Sequence, residues 1–298
     1  MRELAGRTAF ITGGASGIGL GMARAFLARG MKVVIGDLLQ AHLDEARGLL
    51  GSSNRLHSIR LDVSDRAAMH DAARETADVF GNVHVLCNNV GVSQRNSLDE
   101  AGYADWDYVL SVNLGGTIAG LVEFLPAMKA HGEGGHVVNT SSMAGMIPVP
   151  GFAGIYATSK FAVRGLSDAL RLALAPYGIG VSVLCPGLVR TRAMTAGDLY
   201  RGAHERADPA IELRDTLDGG MDPAEVGELV AGAIEDNRPY IFPHGEFVGE
   251  VKAYFEEMLA AFPTEFTMDE RRRLGEERRA RMTAEARALA DALGKEQA

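Results

Sequence analysis

The chain has 298 residues, enough for one large domain or two small ones around a sizeable core. Hydrophobic residues make up 47% and charged residues 23%, an ordinary globular balance, and the net charge of −9 excludes the basic face that nucleic-acid binding needs. The two cysteines, Cys87 and Cys185, each end an apolar run and form no disulfide framework. No apolar stretch approaches membrane-spanning length, and a strand pattern begins almost at once after Met1, which leaves no room for a signal peptide. The expectation is a cytoplasmic protein with no membrane partner and no bound metal.

Short aliphatic runs alternate with amphipathic helical patterns. In chain order the pattern predicts strand 7–12, helix 17–29, strand 32–36, helix 39–50, strand 56–61, helix 65–80, strand 83–88 and helix 103–131. Strand 135–141, helix 154–177, strand 180–185, helix 222–236 and strand 239–243 follow. Such alternation is the mark of a parallel sheet covered on both faces, and right-handed crossovers make a doubly wound, Rossmann-type α/β sheet of about seven strands the economical arrangement. Residues 1–244 read as one catalytic domain. Within it, 190–222 is too long for an ordinary connection and reads as a substrate lid. Residues 245–298 read as a helical extension, with Met282, Ala286, Leu289 and Leu293 on one helix face and a solvated arginine-rich stretch from Arg271 to Arg281.

The first strand runs into Thr12-Gly13-Gly14-Ala15-Ser16-Gly17-Ile18-Gly19 and then into a helix. Glycines there let the backbone approach a pyrophosphate, and the helix N-terminus offers it unpaired N–H groups. Asp37 ends the second strand, 18 residues beyond Gly19, where a carboxylate accepts from both ribose hydroxyls and repels a 2′-phosphate. No basic residue directly follows it, and Ser16 occupies a turn position where one could have met that phosphate, so NAD is favoured over NADP. Asp62 and Val63 close the third strand and are placed to meet an adenine. Asn88-Asn89-Val90-Gly91 closes the fourth at the ligand crevice, with Asn88 either touching the cofactor or only tying strands together.

Tyr156 and Lys160 stand four apart in a helical pattern, hence on one face. An ammonium beside a phenol is expected to lower its pKa and poise it as a general acid/base. Upstream, Asn139-Thr140-Ser141-Ser142 ends a strand, where a hydroxyl can donate to a carbonyl oxygen as charge develops on it. Asn113, a poor helix former beside Gly115 and Gly116, hints at a kink whose freed backbone carbonyl could hold a water in a proton relay.

Together these motifs resemble the short-chain dehydrogenase/reductase family over roughly residues 5–243: the glycine turn, Asp62, Asn88-Asn89-x-Gly91, Asn113, Ser142, Tyr156-x-x-x-Lys160 and Pro186-Gly187-x-x-x-Thr191. The resemblance implies that Tyr156 is the acid/base, that Lys160 also binds the nicotinamide ribose, that Ser142 polarises the substrate oxygen and that Asn113 positions a relay water. It implies that Thr191 and the Val189 backbone hold the carboxamide, and that copies assemble as homodimers or homotetramers through the helices near 103–131 and 154–177. Two departures stand out. Val90 replaces the usual alanine, and Ser142 lies fourteen residues before Tyr156, one more than the commonest spacing, which keeps Ser141 in play. The long tail is similar to that of bacterial members that oxidise aryl alcohols from lignin.

Hydrophobic residues from Met146 to Phe152, with Met194, Leu199 and Tyr200 beyond Thr191, point to a small-molecule substrate that is a hydrophobic or aromatic secondary alcohol, oxidised with NAD. The competing readings are a 3-oxoacyl reductase using NADPH and a catalytically silent NAD-binding protein.

Overall fold

The computed structural model describes residues 1, 3–93, 97–192 and 219–293. Strands β1 (Thr8–Thr12), β2 (Lys32–Asp37), β3 (Leu56–Arg60), β4 (Val85–Asn88), β5 (Gly135–Thr140), β6 (Ile179–Leu184) and β7 (Tyr240–Ile241) form one sheet in the order β3-β2-β1-β4-β5-β6-β7, every pair parallel. Helices α1 (Gly17–Ala28), α2 (Gln40–Leu50), α3 (Arg66–Phe80), α4 (Tyr103–Leu110), α5 (Gly116–Ala130), α6 (Gly154–Leu174) and α7 (Pro223–Glu235) connect the strands. This is the doubly wound sheet that the alternation of runs implies. The chain winds away from β1 in both directions, so the crevice opens between β1 and β4 at their carboxyl ends.

Both sheet faces are buried, which is why the strands read as continuous apolar runs. Ala9, Ile11, Val33, Ile35, Val85 and Cys87 point into a core with Met22 and Phe26 of α1 and Val226 and Val230 of α7. The intervening Phe10, Val34, Leu86 and Val137 point into a second core with Met69, Phe124 and Met128. Phe10 and Phe124 meet there at 4.5 Å between ring centroids. Glycines set the contact between α1 and α7: a β-carbon at Gly21 would overlap the Pro223 carbonyl, and one at Gly227 the Gly21 carbonyl.

The helix expected over 103–131 is broken by a π-turn at Ser111–Gly115, where Asn113 sits. Gly116 then approaches Val63 so closely that a β-carbon would lie 2.8 Å from the valine methyl. Counted as one run, Tyr103–Ala130 has 28 residues and is long and apolar enough, by length and composition alone, to cross a membrane. That corrects the reading that no stretch approaches such length; the run packs its apolar face into the second core and buries Asn113 and Thr117. Of the expected lid, residues 193–218 lie outside the described residues; at its base Val189 and Met221 pair in an isolated parallel bridge.

Beyond β7 come α8 (Val248–Ala260) and α9 (Glu270–Ala292). Phe247 and α8 residues Val251, Tyr254 and Phe255 cover a third apolar cluster of Met143, Met146, Ile147, Val183 and Cys185. The expected face of α9 is buried only in part: Ala286 and Leu293 are half-buried beside buried Ala290, whereas Met282 and Leu289 are exposed. The Ala290 carbonyl accepts from Asn237 Nδ2 at 3.1 Å and Arg171 Nη2 at 3.4 Å, so small residues at the contact and polar anchors, not the larger apolar side chains, decide the face.

At the opposite end of the sheet from the crevice, Glu133 accepts from Arg7 Nη1 at 2.7 Å and Asn82 Nδ2 at 2.6 Å, and pairs with His84 Nε2 at 3.0 Å. The bonds to His84 and Asn82 hold its carboxyl at about 2, below its ordinary 4.5. A folded value below the unfolded one means a contribution that is complete above pH 4.5 and is lost as pH falls toward about 2. Glu133→Gln is therefore expected to lower Tm at neutral pH, with the gap to wild type narrowing as the pH is taken below 4.5. Thermal melts across pH check this; a gap that stays constant would show that the contribution is not ionic.

Candidate active site

The crevice is floored by the turn after β1. Gly13 and Gly17 adopt φ of +64° and +49°, left-handed values that disfavour any side chain, and a β-carbon at Gly19 would overlap the Gly13 carbonyl. Helix α1 starts at Gly17 with no acidic residue in its first turn and no cap from the Ser16 hydroxyl, so the N–H groups around Ser16, Gly17 and Ile18 are left for an anion.

Thr12 stitches the neighbouring loop in place. Its hydroxyl accepts from Asn89 N at 2.9 Å and Val90 N at 3.3 Å, and its carbonyl accepts from Asn89 Nδ2 at 3.2 Å. Val90 in turn packs a methyl group beside Gly13. Asn88 points the other way. Its Nδ2 donates to Asn139 Oδ1 at 2.9 Å, and Asn139 Nδ2 to Ser167 Oγ at 3.0 Å. Of its two readings, the strand tie is the one the geometry supports.

Asp62 is exposed and accepts from the Ser64 hydroxyl at 2.7 Å, while Val63 is buried against Gly116. Asp37 is buried at the end of β2, its Oδ1 3.3 Å from Leu39 N and 3.7 Å from His42 Nδ1. Two arginines that local sequence did not reveal come to this corner. Arg60 stands opposite Asp37 in the β2–β3 register with its Nε donating to Leu38 O at 3.3 Å, and Arg192 reaches in from beyond β6.

At the other end of the crevice, β5 and α6 bring Ser142, Tyr156 and Lys160 together. Ser142 bonds the Tyr156 hydroxyl; its Oγ also accepts from Ala144 N at 3.1 Å and lies 3.4 Å from Pro186 O. Ser141 is occupied otherwise, its buried hydroxyl donating to Lys160 O at 2.7 Å. The geometry thus separates the two serines: Ser142 faces the tyrosine and Ser141 fastens α6 to β5.

Lys160 is only 2% exposed, and its Nζ donates to Thr140 O at 2.8 Å and lies 5.5 Å from the centre of the Tyr156 ring. Burial pulls its pKa down to about 8. Tyr156 departs from expectation. Burial pushes its phenol up, and the Ser142 bond opposes that in part.

Asn113 is fully buried. Its Oδ1 accepts from Val92 N at 2.8 Å and its Nδ2 donates to Val92 O at 2.9 Å and Ser159 Oγ at 2.8 Å, tying the π-turn to the loop after β4 and to α6. Its backbone carbonyl already accepts from Thr117 Oγ1 at 2.8 Å, so a relay water would share it. A β-carbon at Gly91 would sit 3.0 Å from Lys160 Nζ and 3.8 Å from Asn113 Oδ1, so these three positions converge.

The turn Pro186-Gly187-Leu188 is gripped from both sides. Pro186 O accepts from Met143 N at 2.9 Å; Gly187 N donates to His244 Nδ1 at 3.0 Å, and His244 Nε2 lies 2.9 Å from Leu188 O. A β-carbon at Gly187 would come within 2.6 Å of the Phe247 ring. With Nδ1 accepting, the proton sits on Nε2 and both ring nitrogens serve the turn. His244 and Phe247 escaped the sequence reading because they follow the last strand, far in sequence from the turn they hold. Val189 is buried in the first core, and Thr191 lays its methyl against Gly17, 2.9 Å from where a β-carbon would be.

Of the residues expected to line a substrate pocket, Met146 and Ile147 instead pack into the third cluster against α8, Val149 is half-buried and Phe152 is 60% exposed. Met194, Leu199 and Tyr200 lie outside the described residues.

Comparison with known proteins yields a consistent set. The family model described as short chain dehydrogenase matches residues 7–198. A C alpha-dehydrogenase of Sphingobium sp. strain SYK-6 is 34% identical over 267 residues, 87% of each chain. The solved structure of a short-chain dehydrogenase from Novosphingobium aromaticivorans is 39% identical with a TM-score of 0.82, covering 96% of this chain and 99% of that one. A short chain dehydrogenase/reductase from Burkholderia phymatum, solved in complex with NAD, is 31% identical with a TM-score of 0.80, covering 90% and 100%.

His244→Ala leaves Gly187 N without an acceptor in a tight turn, at a cost of about 1–3 kcal/mol. Urea denaturation is expected to show that loss, with His244→Asn, whose Oδ1 can still accept, losing less. Equal stability of the alanine variant and wild type would show that the grip on the turn is unimportant.

Proposed function

The chain belongs to the short-chain dehydrogenase family and is an oxidoreductase, and from that premise we propose that it interconverts a secondary alcohol and a ketone with NAD. The observation that carries this reading is the meeting of Ser142, Tyr156, Lys160, Asn113 and Gly91 at the carboxyl ends of β4 and β5, beside the glycine turn. The residues fit a dinucleotide. The left-handed glycines and uncapped α1 terminus suit a pyrophosphate, Asp37 suits a ribose diol, and Asp62 suits an adenine amino group. When bound, NAD takes up or returns the hydride; the NAD complex of the Burkholderia relative supports that choice.

The chain's own residues handle the proton and the substrate oxygen. Tyr156 exchanges a proton at its hydroxyl with the substrate oxygen. With the phenol pushed up by burial the proton rests on the tyrosine, the form that serves ketone reduction, and alcohol oxidation is the direction that gains from higher pH. The Ser142 hydroxyl can turn from Tyr156 toward the same oxygen and stabilise charge there. Lys160 holds a cation beneath the phenol and toward the nicotinamide ribose, and Asn113 steadies the loop it rests on. Thr191, with the Val189 backbone and the Pro186-Gly187 turn, holds the carboxamide end.

The substrate reading is a hydrophobic, preferably aromatic, secondary alcohol. Leu98, packed on Gly154, and exposed Phe152 put apolar surface a few residues before Tyr156 along the chain. Exposed Ile118 and Val122 on α5 support assembly of identical copies through that helix. A second reading, a 3-oxoacyl reductase using NADPH, draws on Arg60 and Arg192 beside Asp37.

Tyr156→Phe is expected to abolish nearly all turnover while NAD still binds, as titrated by protein fluorescence; near wild-type kcat would remove Tyr156 from the proton step. For the substrate, kcat/KM should rise from 2-butanol to 1-phenylethanol to a bulkier aryl secondary alcohol. A preference for 2-butanol would count against an apolar pocket of this kind.

A further inference from the structure

The corner around Asp37 holds more charge than cofactor binding by a lone carboxylate requires. Arg192 follows Thr191, whose methyl leans on Gly17, so the chain passes from the end of β6 across the glycine turn to α2. There the guanidinium meets Glu45 with both prongs, Nη1 to Oε2 at 2.8 Å and Nη2 to Oε1 at 2.7 Å. This is the planar fork geometry that only arginine supplies, and the geometry with which arginine also grips phosphate. Asp37 acts on the same guanidinium through space, and His42, on the same helix as Glu45, acts on Glu45 and lies 3.7 Å from Asp37. Arg60 is near as well, but its Nε is turned to the Leu38 carbonyl.

We infer that Glu45 and Arg192 are specificity-determining residues for the cofactor: Glu45 occupies the guanidinium that would otherwise receive a 2′-phosphate, and so sets how strongly NADP is rejected. The inference rests on the reading of Asp37 as the ribose acid, and it adds a second, separable control to it. Asp37 repels the phosphate directly. Glu45 acts by withholding its counter-charge. The two controls predict opposite consequences for two surface substitutions. Removing the Glu45 charge loosens its hold on Arg192 and makes the corner more positive by one unit, which favours the 2′-phosphate. Removing the Arg192 charge makes the corner more negative by one unit, which disfavours it. Both side chains are about half exposed, 47% for Glu45 and 48% for Arg192, so neither change digs into a core, and the effect is expected to fade at high salt.

The test is equilibrium binding of adenosine 2′,5′-bisphosphate and of 5′-AMP by calorimetry, at one fixed pH and ionic strength, alongside kcat/KM for NADP and NAD. Glu45→Gln is expected to raise the bisphosphate-to-AMP affinity ratio by about tenfold, or about 1.4 kcal/mol. Arg192→Gln is expected to lower that ratio. The double variant Glu45→Gln/Arg192→Gln should lose the gain, because the gain passes through Arg192. An unchanged ratio in Glu45→Gln, or a gain that survives in the double variant, overturns the inference. The wild-type ratio reports separately on Asp37: if wild type already prefers the bisphosphate, the NAD reading fails, while the signs of the two changes still decide the role of Glu45 and Arg192.

Discussion

A lysine with almost no exposure is the constraint around which the site is built. Charging Lys160 inside the protein is expensive, and the cost shows in its depressed pKa, about 8. The ammonium survives there because Thr140 O accepts from it at 2.8 Å. That one bond fixes where β5 must end relative to α6, and the Ser141 hydroxyl repeats the tie on the Lys160 carbonyl. Gly91 has no side chain because a β-carbon would stand 3.0 Å from the ammonium. Asn113 is buried with its amide fully used because the loop carrying Gly91 must be held still from the other side, through both polar atoms of the Val92 backbone. The π-turn that presents Asn113 follows from the same demand, since it rotates the residue inward from a helix that otherwise packs an apolar face.

Much of this was legible in the sequence where the physics is local. Alternating runs specify a parallel sheet, glycines in the first turn specify a close backbone approach, and a four-residue spacing places Tyr156 above Lys160. The break at Asn113 was visible because asparagine beside two glycines is a poor helix. What was not legible depends on partners far apart in sequence. Whether Asn88 touches ligand or strand is decided by Asn139 on the next strand. The choice between Ser141 and Ser142 is decided by which of them faces the Lys160 carbonyl. The pKa of Tyr156 went the other way because spacing shows that a lysine is near, but not how deeply the fold buries the phenol. The stripe of Met282, Ala286, Leu289 and Leu293 on α9 is only partly buried, because spacing along the helix does not show the polar anchors on Ala290.

The helical extension changes meaning once its contacts are known. His244, just before it, and Phe247 within it hold the turn at Pro186–Leu188, and α8 closes the apolar cluster that contains Met143, directly after Ser142, and Met146. The serine that bonds Tyr156 is therefore held through its following residues by a segment outside the alternating strands and helices. Loops carry function only when something rigid fixes them, and in this chain part of that rigidity is supplied by the segment after β7.

The two ends of the crevice then obey different rules. At the chemical end each side chain has several buried partners, so a change to one is felt by the rest, and the low-dielectric surroundings make every charge count. At the adenosine end Glu45 and Arg192 are half exposed and joined by a pair that salt can weaken. On the proposed role of Glu45 and Arg192, a single surface charge there alters discrimination between cofactors and leaves the Lys160 network as it is. A protein that keeps its proton chemistry in a closed network and its cofactor choice in an open one can change the second while the first stays fixed. That separation follows from the sheet: Asp37 ends β2 and Lys160 is tied to Thr140 at the end of β5, in different halves, on either side of the point where the strand order reverses.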